Sequence, residues 1–152
     1  MSRAFTKEDD AGDELPERPV PEGPNYVTPR GLELLRAAVL ELVSERAKPG
    51  ADLKRVDRDL RYLEARIDSA IVVPRGGGAE ARFGARVTLR DAAGALQTFQ
   101  IVGEDEARES SAFLPWSAPL ANAVLGRKAG DEVSWEGPEG TARLTLVSVE
   151  YP

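Results

Sequence analysis

The chain has 152 residues, enough to bury the core of one ordinary domain with a small appendage, and it contains neither Cys nor His. The absence of Cys excludes disulfides and thiolate zinc sites, and the absence of His excludes imidazole ligands and Ser–His nucleophile pairs. The 26 acidic residues outnumber the 20 basic ones, which argues against a protein that binds the phosphate backbone of nucleic acids. No apolar run approaches the ~20 residues that span a bilayer, and no signal-peptide pattern begins the chain, so we expect a cytoplasmic protein without a cofactor.

Residues 1–24 are acidic, rich in Pro and almost without large apolar side chains. A segment of this kind buries too little surface to offset its conformational entropy, and we therefore predict a disordered acidic tail. Its acidic cluster Glu8-Asp9-Asp10 is typical of a solvated tail, although it could also bind a basic partner or a cation.

Residues 25–74 are predicted to form a helical hairpin, which we call the finger. Thr28-Pro29 is a helix start signal, because a hydroxyl can cap free amides and Pro already has a helical φ. Pro49 and Gly50 oppose continuation of the first helix, and Asp52 can cap the second. Apolar residues recur at alternating spacings of three and four, at Leu32, Leu35, Val39 and Leu42 and again at Leu53, Val56, Leu60, Leu63 and Ile67.

These two stripes predict an antiparallel αα-hairpin, a short coiled coil with an apolar face between its arms. The other face of the second helix is predicted to be solvated. It carries Arg55, Asp57, Arg58, Asp59, Arg61, Glu64 and Arg66.

Residues 79–152 change period and predict a sheet domain. Residues 85–90 and 98–102 alternate apolar and polar side chains, with turn residues between them. Residues 112–116 add an extended piece, and a short helix follows before Gly126. Residues 132–135 and 142–149 form a second hairpin. The fold class is therefore α+β: an N-terminal helical hairpin, then an antiparallel sheet with one short helix.

Several motifs in this half, and both ends of the finger, resemble the GreA/GreB transcript cleavage factor family. The finger motifs are Tyr26-Val27-Thr28-Pro29-Arg30-Gly31-Leu32 and Asp59-Leu60-Arg61-Tyr62-Leu63-Glu64. The others are residues 83–87, 99–106, 117–121, 125–126, 128–133 and 149–151. Because separate motifs occur in the family order, the chain is similar to a short-fingered, Rnk-like variant with an FKBP-like C-terminal domain.

The resemblance implies a partner, the core of RNA polymerase. In the family the globular domain binds the rim of the polymerase secondary channel, and acidic residues at the finger tip hold a second cation for transcript cleavage. It implies no membrane and no direct sequence-specific contact to nucleic acid.

The finger tip departs from the family pattern. Its residues are Lys48, Pro49, Gly50, Asp52 and Arg55. Asp52 matches the acidic Asp of the family tip, whereas Arg55 stands where the family has Glu. Each arm is also shorter by roughly ten residues, which at 1.5 Å per residue shortens the reach by ~15 Å. We therefore predict no metal site and no catalytic residue; Asp52 is instead typical of a helix cap.

The rim contact of the family maps onto residues 117–121. These are Ser117, Ala118, Pro119, Leu120 and Ala121. Pro119 is retained, but Ser117 stands where the family has an acidic or amide residue, and Ala118 stands where it has Ser. Pro119 is equally compatible with a simple helix start. Trp116, just before it, is either a core residue or an interface anchor.

The predicted function is therefore a regulator of transcription elongation that binds polymerase at the secondary channel, is not an enzyme and does not stimulate cleavage. One alternative is an active transcript cleavage factor. A second is an FKBP-like peptidyl-prolyl isomerase, which would need an aromatic-lined pocket and rests on fold analogy alone.

Overall fold

The computed structural model describes residues 15–152, and these residues fall into two compact units. The hairpin unit contains residues 15–22 and Leu35–Ser69, and the sheet unit contains Gly23–Leu34 and Ala70–Pro152. Most of the predicted tail, including Glu8-Asp9-Asp10, lies outside the described residues, where its disorder stays a prediction; Glu17 and Arg18, by contrast, make side-chain contacts. Within residues 15–152, no helix is long and apolar enough to cross a membrane.

Two helices make the hairpin, as predicted. Helix α1 is Pro29–Arg46 and helix α2 is Leu53–Ser69. The connection between them includes Gly50 at φ 75°, a conformation that glycine adopts at little cost. Helix α2 begins where the Asp52 side chain accepts a hydrogen bond from the Arg55 amide at 3.3 Å. The α-helical part of the fold class is therefore confirmed.

The core of the hairpin unit is small. Its buried apolar residues are Leu35, Val56, Tyr62 and Leu63. Ala38, Val39, Leu42 and Ile67 are partly buried around them. The prediction of a solvated face on α2 is wrong at Arg66, which is only 2% exposed.

The sheet unit contains a two-stranded parallel pair that the sequence pattern did not reveal. Strand β1 (Asn25–Val27) immediately precedes α1, and strand β2 (Ala70–Val72) immediately follows α2. Tyr26 pairs with Ile71, and the Val73 amide donates to the Val27 carbonyl at 2.9 Å. Strands of three residues carry too little periodicity to be recognised in a sequence.

Five strands make the main sheet. They are β3 (Arg86–Arg90), β4 (Leu96–Val102), β5 (Phe113–Pro115), β6 (Glu132–Gly137) and β7 (Gly140–Glu150). Their order across the sheet is β5-β4-β3-β7-β6. The sheet is mixed, not wholly antiparallel as expected, because β4 and β5 pair in parallel. A crossover with the short 3₁₀ helix Glu106–Glu109 connects them, and this reverses the direction that a hairpin would give.

One short helix packs on this sheet, as predicted. Helix α3 is Pro119–Val124, and its Leu120, Ala121 and Val124 are buried. The core also includes Val87, Leu89, Ile101, Val133 and Leu146 from the strands, together with Ala81 and Ala85. The alternating burial of β3, with Val87 and Leu89 inward, follows from the period of two along a strand.

Candidate functional site

The segment before α3 is held in place by backbone hydrogen bonds. The Trp116 amide donates to the Val102 carbonyl at 2.9 Å, and the Ala118 amide donates to the Pro115 carbonyl at 2.9 Å. Ala118 has the extended conformation of a helix N-cap, and Pro119 follows in the first turn, where its missing amide costs nothing. The loop therefore has one defined conformation at the surface of the sheet unit.

The five predicted contact residues divide into two groups. Ser117 and Pro119 are exposed and Ala118 is half-buried, whereas Leu120 and Ala121 belong to the core. A partner can therefore touch the first three, while the last two act by holding the loop. The exposed amide side chain of Asn122 lies one turn along α3 and was not predicted.

Glu104 is a second residue at this loop. The Ser117 hydroxyl donates a hydrogen bond to its Oε1 at 2.9 Å. The sequence resemblance implies an acidic or amide residue at the position of Ser117, which has a hydroxyl instead. Glu104 thus supplies a carboxylate at the loop from a distant part of the sequence. Its sequence signals are the acidic run Glu104-Asp105-Glu106 and its place in the motif of residues 99–106.

An aromatic cleft of about 290 Å³ is lined by Trp116. The rings of Tyr26 and Trp116 meet edge to face, with centroids 5.1 Å apart, and the centroids of Tyr26 and Phe83 are 6.2 Å apart. Ala81, Arg82, Leu125 and Gly126 complete the lining. Trp116 is half-buried and packs on the core, so it serves the core and also presents one side of its ring to this cleft.

The finger tip, in the hairpin unit, is the other predicted site. Lys48, Pro49, Gly50 and Asp52 are exposed, and Arg55 is partly buried. The Asp52 carboxylate caps α2, in agreement with one of its two interpretations. The neighbouring carboxylates are paired with arginines, which the sequence pattern did not predict.

Three acidic side chains near the tip form ion pairs. Arg55 binds Glu45 across the two arms and also reaches Asp59 at 3.4 Å. The Arg46 Nε lies 2.7 Å from Oδ1 of Asp57. The hydrogen bond from Arg46 holds the pKa of Asp57 below its ordinary value, and the charge of Arg46 adds to this.

The sheet unit also contains a buried carboxylate, that of Glu106, at the start of α1. Glu106 accepts hydrogen bonds from the Thr28 hydroxyl at 2.5 Å and from Arg30 at 3.0 Å. The Thr28 hydroxyl oxygen in turn accepts from the Gly31 amide at 2.9 Å. Among residues 15–152 no group of three or more acidic side chains is arranged to hold a metal ion.

Comparison with known proteins agrees with the resemblance. Residues 77–151 match the family described as "Transcription elongation factor, GreA/GreB, C-term". The chain is 31% identical to transcription elongation factor GreB of Neisseria meningitidis serogroup A over 156 residues, covering 86% of this chain and 96% of that protein. It is 36% identical to transcription elongation factor GreA of Verminephrobacter eiseniae over 100 residues, covering 63% of each.

Solved structures of similar proteins include GreA/GreB from Nitrosomonas europaea. That chain is 27% identical, with a TM-score of 0.44, and the match covers 84% of this chain and 99% of the other. The extent and identity of the sequence matches place this chain in a defined class: it belongs to the GreA/GreB family of transcription elongation factors.

Proposed function

We propose that this protein binds RNA polymerase at the secondary channel and regulates elongation without stimulating transcript cleavage. Its membership of a family of transcription elongation factors supports the polymerase as partner. The exposed loop of Ser117 and Pro119, with Glu104 beside it, is the surface that contacts the channel rim. The protein contributes binding rather than chemistry of its own.

The ion pairs of the finger tip carry the proposal that cleavage is absent. A magnesium ion held by a protein takes at least one or two free carboxylates among its oxygen ligands. Near the tip, Glu45 is bound by Arg55 and Asp57 by Arg46, so a cation would have to displace an arginine from each. Asp52 is engaged at the N-terminus of α2 through its Oδ1. The positive charges of Lys48, Lys54 and Arg55 oppose a divalent cation further.

A short finger is a second support. The alignment with the Neisseria meningitidis protein extends over 156 positions but draws on 86% of 152 residues, about 131. About 25 positions of the relative therefore have no counterpart in this chain. The family resemblance predicts that this deficit lies in the finger, and an apex that stops short cannot deliver a cation to the polymerase centre.

One experiment tests both halves of the proposal. The full chain is added to stalled, backtracked elongation complexes of core polymerase, and both binding and RNA length are measured. We expect binding, intact transcripts, and competition with an active cleavage factor for the complex. Shortened RNA that depends on the added protein and disappears with Asp52→Ala would establish the alternative of an active cleavage factor. Absence of binding to core polymerase would refute the proposed partner.

Loop variants identify the binding surface. Ser117→Arg combined with Pro119→Ala is expected to weaken binding at least tenfold, a loss of about 1.4 kcal/mol. The matched control is Ser134→Arg with Pro138→Ala, because these residues are also exposed and lie in β6 and the turn after it. Equal loss in both double variants would reject the loop as the contact. A prolyl isomerisation assay on a model peptide tests the remaining alternative.

A further inference from the structure

Residues 15–22 lie against α2 within the hairpin unit, and we call them the strap. They have no regular secondary structure, yet two consecutive charged side chains bind α2. Glu17 accepts hydrogen bonds from Arg61, with Nη2 2.5 Å from Oε1 and Nε 3.1 Å from each carboxylate oxygen. This is the paired geometry that makes Arg–carboxylate contacts specific.

Arg18 makes the second attachment. Its guanidinium carbon lies 3.8 Å from the centre of the Tyr62 ring, within the range of a cation–π interaction. The same guanidinium is 3.5 Å from Oδ1 of Asp59. Asp59 and Tyr62 are three positions apart on a helix and therefore occupy one face, so a single arginine reaches both.

The strap adds its attachments to a hairpin with little core of its own. Tyr62 is one of the few buried apolar residues of that unit and is only 3% exposed. Asp59 also binds Arg55 and Arg58, so its carboxylate is shared with three arginines and its side chain is 15% exposed. Short helix pairs are marginal in water, and each additional contact that orders α2 is therefore significant.

We propose that the strap stabilises α2 through its charged side chains, and that its attachment sets how often α2 opens by local unfolding. The ion pair of Glu17 and Arg61 is sensitive to salt, because the side chains of Arg61 and Glu17 are 56% and 62% exposed. The Arg18 end persists in salt, since it combines the ring contact with a more enclosed carboxylate. Rising ionic strength therefore releases the strap at Glu17 and leaves it attached at Arg18. The hairpin stays folded, but α2 unfolds locally more often.

Hydrogen exchange of the full chain, measured by mass spectrometry, tests this proposal. Deletion of residues 1–22 is expected to raise the opening of α2 about tenfold or more, whereas deletion of residues 1–14 leaves it unchanged. Salt at 1 M is expected to raise α2 opening in the full chain but much less in the longer deletion. Exchange in β3 and β7 reports that the sheet unit of every variant is folded.

A charge swap isolates the contribution of the ion pair between Glu17 and Arg61. Glu17→Lys and Arg61→Glu are each expected to raise α2 opening about two- to fivefold, the range of an exposed ion pair, and the double variant is expected to restore protection. Glu22→Lys is the matched control, because Glu22 is exposed in the same segment and has no ion pair within residues 15–152. The proposal that the strap stabilises α2 would be overturned if removal of residues 1–22 left α2 exchange unchanged, or if the double variant failed to restore protection.

Discussion

The carboxylate of Glu106 accepts a 2.5 Å hydrogen bond from the hydroxyl of Thr28, although 78 positions separate the two residues. Both side chains are buried, and Arg30 adds an ion pair at 3.0 Å. Thr28 is at the same time the cap of α1, since its hydroxyl oxygen accepts the Gly31 amide. One carboxylate thus joins the first turn of α1 to the 3₁₀ helix between β4 and β5.

Removal of this carboxylate should destabilise the sheet unit. Glu106→Ala is expected to cost about 2–3 kcal/mol in the free energy of unfolding, because the Thr28 hydroxyl loses its acceptor inside the protein. Urea titration followed by tryptophan fluorescence measures this cost. Glu109→Ala is the control, since Glu109 is exposed in the same 3₁₀ helix, and a change within about 0.5 kcal/mol is expected there. Equal effects of the two variants would contradict a structural role for Glu106.

Gly103 is required by a close approach of two backbone segments. A Cβ atom at this position would lie 2.5 Å from the carbonyl oxygen of Tyr26. Because that oxygen belongs to the backbone, it cannot easily move to relieve the clash. Gly103→Ala is therefore expected to lower the free energy of unfolding by about 2 kcal/mol or more. Gly77→Ala should be nearly neutral, because a Cβ atom there would have no neighbour within 4 Å and the φ of Gly77 is not in the left-handed region. Thermal unfolding of both variants measures the two changes in stability. A Gly103→Ala protein as stable as the parent would show that the backbone near Tyr26 can move away from the added Cβ atom at little cost.

Helix α3 offers a separation of folding from binding. Leu120 is 7% exposed, and Leu120→Ala is expected to cost about 2–5 kcal/mol of stability through loss of buried surface and a cavity. Pro119→Ala and Ser117→Ala should change stability little and affect only polymerase binding. Denaturation curves and binding to core polymerase, measured on the same samples, check the pattern. A large loss of stability in Ser117→Ala would contradict the division of this loop into contact and core residues.

The ion pair of Arg46 and Asp57 predicts a dependence on pH. The folded-state pKa of Asp57 is lowered, first by the hydrogen bond from Arg46, so the stabilising effect is present above the ordinary Asp pKa of about 3.9 and is lost as the pH falls through the lowered value. Arg46→Gln should raise the pKa of Asp57 in a carboxyl titration by NMR. Arg36→Gln, an exposed change on the same helix, should leave it unchanged. An Asp57 pKa that does not respond to Arg46→Gln would refute the pairing.

Local patterns were sufficient for much of this fold. The alternating spacings from Leu32 onward predicted α1, and Asp52 was predicted as the cap of α2, because a helix and its ends depend on residues within one or two turns. The alternation around Val87 and Leu89 predicted β3 for a similar reason. The family motifs added the class of protein, which composition alone could not indicate.

Contacts between distant residues could not be predicted from such patterns. The parallel pairing of β4 with β5 was missed because strand direction depends on the crossover and not on the pattern within either strand. Ser117 was predicted as a contact residue, but its hydrogen bond to Glu104 was not predicted, since the two residues share no local motif. Leu120 and Ala121 were predicted as contacts and lie in the core; their sequence cannot distinguish the two roles.

Short-range periodicity and ordered motifs in the sequence were enough to predict the helices, the alternating strands and the membership of the GreA/GreB family. The folded chain alone reveals which polar and charged side chains meet: Glu106 with Thr28, Glu17 with Arg61, and Asp57 with Arg46. Electrostatic and hydrogen-bond partners are chosen by distances of a few ångströms in space, and separation along the chain carries almost no information about them.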